Sequence, residues 1–191
     1  AINLITPTAT SYTTATQHLR SDAFSWDPYG RGARRAFRAA DIVNKNWRKT
    51  KRKPSWITLR SCGPGWYDCR DLWLDIRRRS LAAVRGNVDS INYFTYCNWA
   101  TDMEVNQWYA VIPGTKGAIS TPRWQALHQV VHDVDRIITA EYLISRLRGA
   151  KKATLTRQLD EAKMLGQQGR FYTMRAKLKE LIAKAAQLRK Q

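Results

Sequence analysis

Histidine, cysteine and acidic residues are all scarce in this chain of 191 residues, which holds 3 His, 3 Cys and 15 Asp plus Glu against 33 Lys plus Arg. Cys62, Cys69 and Cys97 form no C-x-x-C pair and stand apart from the histidines, so no structural zinc site is expected. A Cys62–Cys69 disulfide would close the Gly63-Pro64-Gly65 loop; buried free thiols are the alternative. No run approaches the ~18 uninterrupted apolar residues of a membrane span. The opening residues, Ala1 to Pro7, lack the basic and apolar regions of a signal peptide. A soluble protein, intracellular or enclosed in a particle, is the expectation. With no nucleophile motif, phosphate loop or Gly-rich nucleotide fingerprint, neither an enzyme nor a bound cofactor is expected. The missing zinc finger, aromatic RNP-type strand, zipper-linked basic region and helix-turn-helix exclude the common base-reading modules.

What is present is positive charge. The formal balance of +18 far exceeds what solubility requires, and a field of that size attracts polyanions. Disordered chains also tolerate such charge, but 43% hydrophobic residues with eight Trp and eight Tyr supply a core. The length suits one domain, or one domain plus an arm.

Residues 1–27 are nearly uncharged and crowded with Thr, Ser and Ala, a composition that favours extended and turn conformations over helix. They read as an N-terminal arm that docks through Ile2, Leu4, Ile5, Phe24 and Trp26 or remains a disordered tail. Asp27-Pro28 starts a helix that runs to about Lys49, with Ala33, Ala36, Phe37, Ala40, Val43 and Trp47 on one side and basic residues on the other. Pro54 ends this segment, and Ser55 to Ser61 reads as a short extended connection. A second helix is expected from Asp68 to Arg85, stopped by Gly86. Residues 88–112 read as a helix apolar all round, although their first half also alternates like a strand.

Beyond a loop at Pro113–Gly117, Thr121-Pro122 opens a helix to about Arg148 with Leu127, Val130, Val131, Val134, Ile137, Ile138, Ile144 and Leu147 as its core stripe. Thr154 or Thr156 starts the next, through Leu165, and Gly166 and Gly169 frame a turn. The last helix spans about Arg170 to Arg189. The expected fold class is therefore all-α: an extended arm over 1–27, a basic helix-break-helix segment over 28–86, and an antiparallel helical bundle over 87–191.

The segment Arg31 to Lys53 concentrates the chemistry. Its ten basic residues, Arg31, Arg34, Arg35, Arg38, Lys45, Arg48, Lys49, Lys51, Arg52 and Lys53, face one acid, Asp41, so it carries half of the excess charge of the chain. A helix with one basic face lies along a duplex with several side chains on phosphates at once, releasing counterions. Arg77, Arg78 and Arg79 add a second cluster. Arginine and lysine dispersed along a helix suit backbone contact more than base reading, so weak sequence preference is expected. A solvated face or a membrane-surface helix is the bland alternative. Trp47 falls on the apolar stripe, and the surplus of Trp points to subunit packing more than base stacking. His128, His132 and Asp135 share one helix face, yet Gln129 stands where a zincin needs its glutamate; surface or interface roles are expected, and no metal.

An uncharged arm, a basic helix with a break, and a C-terminal helical bundle together resemble the major coat proteins of rod-shaped and filamentous archaeal viruses, which polymerise on linear double-stranded DNA. The resemblance is one of architecture over the whole chain. It implies that Arg31, Arg34, Arg35, Arg38, Lys45, Arg48 and Lys49 clasp the DNA and that Trp47, Trp99 and Trp108 pack between subunits. It also implies a virion location and self-association or pairing with a paralogous coat protein. A cytoplasmic ribonucleoprotein component binding RNA is the alternative from another class. A small nuclease using His128, His132 and Asp135 is the third.

Overall fold

The computed structural model describes residues 4–5, 23–26, 37, 55–60, 69–88, 90–94 and 111–189. Helix dominates them, and the core sits among four helices: α1 (Cys69–Arg85), α2 (Pro122–Ser145), α3 (Gly149–Gln167) and α4 (Phe171–Leu188). No helix among these residues is long and apolar enough to cross a membrane.

Several helix ends have a local cause. Thr121 caps α2 by accepting from the Trp124 amide at 3.3 Å, and Pro122 occupies the first turn, where its missing N–H costs nothing. Past α1 the left-handed residue is Asn87 (φ 60°), with the Gly86 amide bonded back to the Ala82 carbonyl at 3.0 Å. Asn tolerates this conformation better than other side chains do. The turn between α3 and α4 uses Gly169 at φ 85°.

Helix α3 starts at Gly149, well before the expected Thr154 or Thr156, and the flanking Arg148 makes no side-chain cap. The Ala- and Lys-rich stretch after Gly149 sustains the helix by propensity without a capping hydroxyl. Gly166 is likewise helical and not part of a turn. A Cβ there would lie 2.5 Å from Met174 Sδ and 2.8 Å from Leu81 Cδ1, so the glycine permits close approach of α1, α3 and α4.

Leu81, Ile137, Ile144, Leu155, Leu159, Met174, Leu178 and Leu181 form the centre of one buried cluster to which all four helices contribute. In α4, Phe171, Met174, Leu178, Leu181 and Ala185 are buried at three- and four-residue steps. In α2, Val130, Ile137 and Ile144 are buried, whereas Val131 and Ile138, expected in the core, are 57% and 54% exposed. They follow their buried neighbours by one residue, a rotation of 100° that takes them off the packed face.

Short strands accompany the helices. β1 (Leu4–Ile5), β2 (Ala23–Trp26), β3 (Ser55–Arg60) and β4 (Ser90–Phe94) pair in that order as a parallel sheet, with Trp56 opposite Ser90 and Arg60 opposite Phe94. Helix α1 thus connects two neighbouring parallel strands, the crossover that parallel pairing requires. β5 (Val111–Gly114) and β6 (Gly117–Ser120) form a hairpin turning at Thr115-Lys116. The helix expected over 88–112 is therefore overturned at both ends, where period-two alternation around Ile91 and Tyr93 prevails over the helical period. The remainder of that stretch, with Trp99 and Trp108, lies outside the described residues, as do most of the arm and the helix expected over 28–49.

Candidate nucleic-acid interface

Of the Arg31–Lys53 segment, Phe37 alone is described. It is helical, half-buried, packed against Ala82 of α1, and its ring centroid lies 4.5 Å from the guanidinium carbon of Arg85. The segment's cations, Arg31, Arg34, Arg35, Arg38, Lys45, Arg48, Lys49, Lys51, Arg52 and Lys53, lie outside the described residues, and so does Trp47. The contact places Phe37 on α1.

The second cluster expected at the interface has a different setting. Arg77 and Arg79 are buried, at 4% and 6% exposure. Arg77 donates through Nη2 to Asp133 Oδ2 at 3.2 Å and lies 3.6 Å from the centroid of the Phe171 ring. Desolvation lowers its pKa, against the opposing pull of Asp133. Arg78 donates to the carbonyl of Gln167, bracing the end of α3. This placement occupies Arg77 and Arg78 with protein partners. Sequence reasoning missed it because α1 is covered on several sides, by α2, α3 and β3, so that polar positions on its helical wheel also face protein.

Asp133 is the centre of this charge network. Its carboxylate is fully buried and accepts from Arg175 Nε at 2.6 Å and Nη2 at 3.0 Å, from Arg77, and from Arg136 at 3.4 Å. The hydrogen bond to Asp133 raises the Arg175 pKa. Three guanidinium groups from α1, α2 and α4 on one carboxylate make a structural tie between helices.

The exposed cations lie elsewhere. Arg146, Arg148, Lys151 and Lys152 fall within seven residues at the junction of α2 and α3, and no acid occurs between Glu141 and Asp160. Beside them opens a cleft of about 350 Å³, walled by Arg85 and Asn87 from the end of α1, Glu141 and Ser145 from α2, and Lys152, Asp160 and Lys163 from α3. Arg85 makes a two-point pair with Asp160 at 3.0 and 3.1 Å and also donates to Gln167 Oε1 at 3.0 Å; Lys163 donates to Glu141. Lys152 donates to the Ser145 carbonyl at 3.3 Å. The sequence signal was the acid-free run from Tyr142 to Leu159, which is weaker per residue than the Arg31–Lys53 segment.

His128 and His132 are exposed, with ring centroids 4.5 Å apart and edge to face. Among the described residues no three His, Cys, Asp or Glu side chains group as metal ligands. No protein-family model, curated protein or solved structure matches this chain.

Proposed function

We propose that the chain is a structural nucleoprotein that wraps and packages double-stranded DNA without sequence specificity and assembles as the coat of a helical virion. The observation that carries this reading is the concentration of half of the +18 balance between Arg31 and Lys53. Counterion release from a duplex rewards such density whatever the base sequence. Assembly is supported by an exposed stripe on α2, where Trp124, Val131 and Ile138 follow at seven-residue steps and Tyr142 stands four further on. Exposed apolar residues along one helix form a patch that association covers, and a second copy is the occupant proposed for it.

The test is to mix purified protein with linear duplex DNA of arbitrary sequence, image the product by electron microscopy and digest it with nuclease. Filaments that protect stoichiometric DNA are expected. Monodisperse protein that leaves duplex DNA open to digestion, or that binds folded RNA only, overturns the reading in favour of a ribonucleoprotein component.

A further inference from the structure

Resting on the nucleoprotein reading, we infer that the bundle end around Arg148, Lys151 and Lys152 is a second phosphate-contact surface, which grips the backbone of the same duplex that the Arg31–Lys53 segment binds.

Three observations converge on it. The first is charge: Arg85, Lys152 and Lys163 wall the cleft where α1, α2 and α3 meet, and Arg146, Arg148 and Lys151 lie in the adjoining α2–α3 junction, against Glu141 and Asp160 alone in that run and cleft. The two acids are engaged by the inner cations, Asp160 by Arg85 and Glu141 by Lys163, whose residue is only 7% exposed. The outer cations therefore keep their charge toward solvent. Among the described residues Arg148, Lys151 and Lys152 form no ion pair, and Arg146 lies against Tyr142, 4.9 Å from the ring centroid.

The second observation is position. Arg85 stands between the two surfaces: one face of its guanidinium meets Phe37 of the basic segment, and its nitrogens hold Asp160 of the cleft. Phe37, a residue of that segment, thus sits against the same end of α1 that walls the cleft. The third is the backbone. The first turn of α3 contains no acid and its flanking residue supplies no side-chain cap, so its positive dipole end adds to Lys151 and Lys152. The ligand class is a phosphodiester backbone, recognised by charge and not by base.

The experiment uses full-length protein and a fluorescent duplex of arbitrary sequence, titrated over a range of salt. Arg148→Gln, Lys151→Gln and Lys152→Gln combined should lower the slope of log affinity against log salt by roughly 2 to 3, near the ~0.9 per phosphate contact of B-form DNA. A matched variant removing the same charge at the exposed Lys116, Arg170 and Lys179 should leave that slope unchanged. In parallel, amine-reactive labelling of the unmodified protein should find Lys151 and Lys152 protected by bound duplex, which reads contact without any substitution. An unchanged slope in the first triple variant, equal loss in both, or unprotected lysines overturns the inference while leaving the nucleoprotein reading intact. Failure of the unmodified protein to bind duplex DNA overturns both.

Discussion

Arg175 holds Asp133 at two points, Nε to Oδ1 at 2.6 Å and Nη2 to Oδ2 at 3.0 Å, and thereby ties α4 to α2 through a carboxylate that solvent does not reach. Arg77 joins the same carboxylate from α1. Removing the negative charge leaves a buried guanidinium uncompensated, and breaking such a buried pair typically costs about 3 to 5 kcal/mol. Asp133→Asn should therefore destabilise the fold by about 3 kcal/mol, whereas Arg136→Gln, at a half-exposed position, should cost less than about 1 kcal/mol. Chemical denaturation of both variants checks this, and equal effects would remove Asp133 from its central role.

Gly166 faces Met174 and Leu81 too closely for a side chain. Gly166→Ala gains about 1 kcal/mol of helix propensity but overpacks the core at a cost of about 1 to 3 kcal/mol. A lowered melting temperature is expected. A rise would mean that the Met174 thioether and Leu81 move aside freely.

Glu161 accepts from Lys177, and this hydrogen bond holds its carboxyl below the usual carboxylate range. A depressed folded-state pKa contributes stability that is present above the unfolded value of about 4.3 and is lost as pH falls through the folded value. Glu161→Gln should flatten the acid limb of a stability–pH curve slightly and leave its shape above pH ~6 unaltered. An identical acid limb would show that the pair contributes nothing.

Val131 and Ile138 project from α2 into solvent. Val131→Asp with Ile138→Asp should abolish self-association, measured by sedimentation, while far-UV circular dichroism and melting temperature stay close to those of the parent. Undiminished assembly would place the subunit contact elsewhere.

Much of the helical body was legible from end signals. Thr121-Pro122 starts α2 and the three- and four-residue spacing from Phe171 to Leu188 outlines α4, because capping and periodicity act within a few residues. Where those signals compete, reading failed. Gly166 has the composition of a turn residue but serves packing between helices, and the alternation at Ile91 and Tyr93 forms a strand because β3 lies alongside. Leu81 and β3 are both distant in sequence from the residues they act on.

The basic balance, its concentration between Arg31 and Lys53, and the start of α2 and the extent of α4 follow from the sequence by itself, since charge adds residue by residue and capping and periodicity are local. Tertiary structure alone decided which cations remain available. Arg77 and Arg79 are buried because α1 is enclosed by its neighbours, Arg77 on the carboxylate of Asp133, fifty-six positions away. Arg148, Lys151 and Lys152 are exposed, and the two acids of the adjoining cleft are engaged by Arg85 and Lys163. Whether an arginine meets solvent or protein depends on what packs over its helix, and that is set by contacts between residues far apart in the chain.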